Sequence, residues 1–121
     1  MTEYTALVVD DSEDIQRILS DVLGALNIKV KGKAFNGLEA VKKYQKIKPQ
    51  LVFLDIQMPK YDGIFALKEI MKIDHKAKVI IITADAREKT SKIVQDLGAI
   101  NILYKPFRIK DIENILNQIH R

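Results

Sequence analysis

The chain predicts a doubly wound α/β fold on a five-stranded parallel sheet, and three observations lead there. Five strand-length runs recur along it, and the third, Leu51 to Leu54, is continuously apolar, as strands covered on both faces are. Between them lie stretches with apolar residues at three- and four-residue spacing, the periodicity of a helix with one buried face. The joining segments are short, which suits β-strands linked through helices rather than separate layers.

Thr5 to Val9 is the first strand and ends in Asp10 and Asp11. Ser12 is a good N-cap, and Ile15, Ile18, Leu19, Val22, Leu23 and Leu26 follow at helical spacing, closing near Asn27. Ile28 to Phe35 is a second, more polar strand, with Lys29, Lys31 and Lys33 alternating as on a solvated edge. Asn36 caps a helix carrying Leu38, Val41, Tyr44 and Ile47. Leu51 to Leu54, set between Pro49 and Pro59, is the third strand, and Asp55 sits at its carboxyl end. Asp62 caps a helix with Ile64, Leu67, Ile70 and Met71. Lys78 to Ile82 is the fourth strand, ending at Thr83, and a helix from about Arg87 to Leu97 shows Ile93, Val94 and Leu97 before Gly98 stops it. Asn101 to Tyr104 leads to Lys105 and Pro106, and Ile109, Ile112, Ile115, Leu116 and Ile119 line the last helix.

Right-handed crossovers leave few arrangements of such a chain. Of the two common doubly wound orders, five strands suit the flavodoxin-like (βα)5 order 2-1-3-4-5, with the lysine-rich second strand on the edge. A chain of 121 residues is the size of one domain, spanning residues 1–121. Hydrophobic residues at 47% and charged residues at 30% exclude wholesale disorder. With no cysteine there are no disulfides, thiolate zinc sites or cysteine nucleophiles. The start lacks a secretory pattern, and no apolar run approaches the ~20 residues of a membrane span, so a soluble, cytoplasmic protein is expected. The net charge of +4 is spread among scattered lysines rather than gathered into a nucleic-acid patch.

In open α/β sheets ligands bind beyond the carboxyl ends of the strands. The predicted order brings Asp10 and Asp11, Asp55, Thr83 and Lys105 to that one rim. Each has an ordinary reading alone: a helix-entry acid, a strand-end cap, a strand-end hydroxyl, a solvated lysine. Together they do not. At about 4 Å and an effective dielectric near 20, each pair of like charges costs roughly 4 kcal/mol, so protons or cations must offset the acids. Oxygen ligands without histidine or cysteine select a hard cation, and carboxylates with waters and a phosphate oxygen are the usual Mg²⁺ arrangement. Lys105 adds a positive charge that meets an incoming anion, and Thr83 a hydroxyl donor. Such a pocket suits formation of an acyl phosphate, with Asp55 attacking in line. Met58 and Pro59 read as loop-shaping residues, and Gly63 as a requirement of backbone geometry.

At these residues the chain resembles the receiver domain of two-component response regulators, in its bareness the single-domain chemotaxis type. The motifs are Val-Val-Asp-Asp-Ser at 8–12, Leu-Asp-Ile-Gln-Met-Pro at 54–59 with Asp62-Gly63, Ile-Ile-Thr-Ala at 81–84 and Tyr-Lys-Pro-Phe at 104–107. The resemblance implies that Asp55 is the phosphoacceptor, charged by a histidine kinase or phosphotransfer protein. It implies that Asp11, Asp55 and the backbone carbonyl of Gln57 bind Mg²⁺ directly, that Asp10 holds it through water, and that Thr83, Lys105 and the Ala84 N–H contact the phosphoryl oxygens. It implies a cis Lys105-Pro106 bond, and a downstream protein partner bound through the face of the fourth helix, fifth strand and fifth helix. Gln57 and Asp85 occupy positions that in the family tune the lifetime of the phosphoryl group. The chain departs from the pattern at Ile102, where the family usually carries an aromatic that moves inward with the threonine. Tyr104, two positions on and on the same strand face, is either a substitute or a cover for the sheet edge. The domain is then a switch that turns over no external substrate. The alternatives are a Mg²⁺-dependent phosphohydrolase of another α/β fold, whose Asp-x-Asp after the first strand is not present here, and a docking module independent of phosphorylation.

Overall fold

The computed structural model describes residues 4–58 and 62–119, so the expectation for Pro59 lies outside the described residues. Strands β1 (Tyr4–Val9), β2 (Ile28–Ala34), β3 (Leu51–Asp55), β4 (Lys78–Thr83) and β5 (Asn101–Tyr104) alternate with helices α1 (Glu13–Ala25), α2 (Gly37–Ile47), α3 (Gly63–Ile73), α4 (Glu88–Asp96) and α5 (Ile109–Ile119). The strands form one parallel sheet in the order β2-β1-β3-β4-β5. The predicted order is therefore the observed one, with the lysine-bearing β2 on the edge. Val30 pairs with Ala6 and Gly32 with Leu7, so Lys31 is the extra residue of a bulge, a device that discourages edge pairing.

Alternation along the strands divides the core in two. Val52 and Leu54 of β3 face a cluster completed by Ala40 and Tyr44 of α2, Leu67 and Ile70 of α3 and Val94 of α4. Leu51 and Phe53 face the other cluster, with Leu19 and Leu23 of α1 and Ile112 and Ile115 of α5. Because β3 is buried along its whole length, its carboxyl end is fixed by packing on both sides.

The helix ends follow the predicted caps. Ser12, Asn36 and Asp62 accept from the backbone N–H of Ile15, Glu39 and Phe65, and Gly98 takes a positive φ of 110° beyond α4. The expected helix faces differ in places: Leu38 of α2, Ile93 of α4 and Ile109 of α5 are exposed, and on α1 a polar residue takes a buried position. Ile18 is 49% exposed, and Gln16 takes the buried place on α1 beside Leu19 and Leu23. Met58, expected to shape a loop, is 7% exposed and belongs to the α2–α3–α4 core. Among the described residues no helix is long and apolar enough to cross a membrane.

Tyr44 ties α2 to the end of α3 by donating its hydroxyl to Asp74 at 3.2 Å. Burial, with the charge and hydrogen bond of Asp74 adding to it, pushes the phenol up to about 12. The unfolded phenol titrates near 10. Stability from this group is thus complete below about pH 10 and is lost as pH rises towards 12. Tyr44→Phe is expected to cost about 1 kcal/mol at neutral pH and to lose less stability than wild type between those two pH values. Parallel urea-midpoint curves for the two proteins in that range would refute the assignment.

Candidate functional site

The rim is assembled from the carboxyl ends of β1, β3, β4 and β5. Asp10 follows β1 directly, and its N–H donates to the Ala34 carbonyl at 3.1 Å. The Gln16 amide holds this junction from below, donating to the carbonyls of Asp10 at 3.0 Å and Ala34 at 2.6 Å. Reading by hydrophobic periodicity passed over Gln16. The available signal was a polar residue in register with Leu19 and Leu23 on the buried stripe.

Asp10 is 0% and Asp55 2% exposed. One oxygen of Asp10 accepts from Ser12 N–H at 2.9 Å, and one of Asp55 from Gln57 N–H at 2.9 Å. The other oxygens face the same ammonium: Lys105 Nζ lies 3.1 Å from Asp10 Oδ2 and 3.5 Å from Asp55 Oδ2. Asp11, exposed, completes a trio with one oxygen from each acid within 4.8 Å of the others. The Lys105-Pro106 bond is cis, as expected. Burial pushes the Asp55 carboxyl up to about 6, and the charge of Asp10 adds to this against the opposing Gln57 N–H and Lys105. Three carboxylates against one ammonium leave the cluster with an excess of acid groups. Three oxygen-only carboxylates with unbalanced negative charge fit a hard dication such as Mg²⁺.

Thr83 is buried at the end of β4, and Ala84 is exposed just beyond it. Both are directed to Gln57, whose Oε1 accepts from Thr83 Oγ1 at 3.5 Å and from Ala84 N–H at 3.4 Å. Asp85 is turned away from the acids. Its carboxylate accepts from Arg87 Nε at 2.9 Å, Arg87 Nη2 at 2.7 Å and Thr90 Oγ1 at 2.6 Å, and these bonds, Arg87's foremost, hold it well below the usual carboxylate range.

Ile102 is half-buried and packs on the α2–α3–α4 side of the sheet, whereas Tyr104 on the same face is 41% exposed. Neither stands among the acids. Gly63 lies against the rim from behind, where a Cβ would run into the Asp55 carbonyl oxygen and the Ile56 Cα. Close backbone approach explains the glycine, in keeping with its reading as backbone geometry.

The family model of the response regulator receiver domain matches residues 6–117. The chain is 38% identical over 115 residues to the chemotaxis protein CheY of Thermotoga maritima, covering 95% of this chain and 96% of that one. It is 41% identical over 115 residues to CheY of Treponema pallidum, covering 93% and 80%. Its fold matches a chain of the crystal structure of the CheX-CheY-BeF3-Mg+2 complex from Borrelia burgdorferi, with a TM-score of 0.94 at 32% identity, covering 98% and 90%. Receiver domains are signalling domains rather than ordinary enzymes, and bind Mg²⁺ at an acidic cluster placed like Asp10, Asp11 and Asp55. The sequence motifs, the sheet order and these likenesses agree: the chain belongs to the response regulator receiver domain family.

Proposed function

We propose that this domain is a phosphoryl-accepting switch in the cytoplasm, charged on Asp55 by a histidine kinase or phosphotransfer protein and read by a downstream protein. The supporting observation is the position of Lys105 Nζ, which meets Asp55 and Asp10 at once on a buried rim. An Asp55 oxygen attacks phosphorus. The bond from phosphorus to the donor's imidazole nitrogen, or to the acyl oxygen of a small donor, breaks, and its electron pair leaves with the donor. Burial of Asp55 keeps bulk water from competing with it.

Asp10, Asp11, Asp55 and the Gln57 carbonyl would hold Mg²⁺, which supplies charge neutralisation on the transferring group. Lys105 balances a further negative charge at the new acyl phosphate, and the Thr83 hydroxyl and Ala84 N–H donate to its oxygens. Movement of Thr83 towards the phosphoryl group is the event that would reach α4, β5 and α5. Tyr104 is the register partner of Thr83 across β4 and β5, and Ile102, opposite Ile81, is the aliphatic residue two positions before it on the same face. A protein of the CheX kind, as in the Borrelia complex, is one class of partner.

Incubation with a small acyl-phosphate donor is expected to add one phosphate to the intact mass with Mg²⁺ present and none without it. An unchanged mass under both conditions would overturn the proposal.

A further inference from the structure

Among the described residues of the rim, Gln57 is the side chain whose position phosphoryl acceptance leaves unexplained. Its backbone is fixed by the hydrogen bond from Gln57 N–H to Asp55 Oδ1 at 2.9 Å, a tight turn on the acceptor itself. Its side chain is exposed and still does not extend into solvent. It folds back across the rim, and its Oε1 accepts from Thr83 Oγ1 and Ala84 N–H at 3.5 and 3.4 Å. The Thr83 hydroxyl has one proton. Its oxygen already accepts from Asp85 N–H at 2.9 Å, so that proton is the group turned to Gln57. Asp85 does not compete for these donors, because Arg87 and Thr90 occupy its carboxylate.

We propose that the Gln57 side chain is a placeholder for the phosphoryl group: its amide oxygen occupies the two donors that a phosphoryl oxygen on Asp55 needs, and charging must expel it. The inference rests on the phosphoryl-acceptor reading above and adds a competing internal ligand to it. The exchange runs in the right direction. A neutral amide oxygen at 3.4 to 3.5 Å is a long, weak acceptor, whereas a phosphoryl oxygen is charged and makes bonds roughly twice as strong. The expelled amide enters solvent, where its hydrogen bonds are replaced by water. When the phosphoryl group leaves, Gln57 returns and satisfies the donors again. Uncharged protein thus keeps Thr83 engaged on the β3 side, and the threshold for charging is set partly by this residue.

Two variants separate hydrogen bonding from bulk: Gln57→Ala removes the side chain, and Gln57→Met keeps its length without a strong acceptor. In metal-free, uncharged protein, both are expected to shift the Ala84 amide resonance and to speed its hydrogen exchange. With Mg²⁺ and a small acyl-phosphate donor, both should gain phosphate about fivefold faster than wild type, the change expected when ~1 kcal/mol of competing hydrogen bonding is lost. An unmoved Ala84 amide, or a Gln57→Met variant that charges at the wild-type rate, would overturn the placeholder. The Ala84 readout needs no phosphate. If wild type itself gains none, the acceptor reading fails, while the amide measurement still decides whether Gln57 holds those donors.

Discussion

Asp55→Asn is expected to gain no phosphate under conditions that charge wild type fully, and in EDTA to be the more stable protein at neutral pH. The amide has the shape of the carboxylate and can still accept the Gln57 N–H, so the turn at the end of β3 is retained. What is lost is the nucleophile and a buried negative charge beside Asp10. The sign follows from the carboxyl's position at about 6 in the folded protein, raised chiefly by burial, against about 3.9 unfolded. A group raised by folding contributes its full stability below the unfolded value and loses it as pH climbs through the folded one. Wild type should therefore fall behind Asp55→Asn between about pH 4 and pH 6, remain behind above that, and draw level below it. Urea midpoints in EDTA across this range measure the difference. Mg²⁺ should raise the wild-type midpoint by mass action and the variant's less. Phosphate on Asp55→Asn would move the acceptor to another residue, and a variant weaker than wild type at neutral pH would mean that Lys105 already neutralises the pair.

The contrast between this site and its surroundings explains what could be read from the chain alone. Continuous apolar runs such as Leu51 to Leu54 mark strands covered on both faces, and right-handed crossovers then leave little freedom in their order. Once the order is known, residues just past the strand ends share a rim whatever their rotamers, so Asp10, Asp11, Asp55, Thr83 and Lys105 could be grouped before any coordinates. Side-chain direction is another matter. Asp85 lies two residues beyond Thr83, yet its carboxylate turns to Arg87 and Thr90, a choice made by local hydrogen bonds that spacing does not encode. Gln57 likewise folds back over Thr83 and Ala84 although its side chain is exposed. Hydrophobic periodicity had the opposite fault on α1, where it ranked Ile18 above Gln16 because it scores polarity and not register with the carbonyls of Asp10 and Ala34. Met58 stands in the loop after the strand, as its position in the sequence indicates, while its flexible apolar side chain fills space in the core below, which spacing does not encode.

Gly63→Ala should do the most damage for a single methyl group. Gly63 opens α3 where the helix is pressed onto the end of β3, and a Cβ there meets main-chain atoms, the Asp55 carbonyl oxygen and the Ile56 Cα. Main chain at the end of a fully buried strand cannot rotate aside as a side-chain tip can, so α3 must lift or Asp55 must shift. Overpacking of this kind costs about 1–3 kcal/mol, and the unyielding contact argues for the upper end. The same substitution at Gly24 meets no atom within 4 Å in the last turn of α1. There the lower conformational entropy of alanine in the unfolded chain should add roughly 0.5–1 kcal/mol. Opposite signs in urea midpoints are therefore expected from one chemical change. The site should register the difference as well. At a temperature where both variants are folded, Gly63→Ala should accept phosphate more slowly than wild type because the strand end bearing Asp55 is displaced, while Gly24→Ala should charge normally. Equal stability for wild type and Gly63→Ala would mean that α3 lifts freely, and that contact of α3 with the main chain does not hold Asp55 in position.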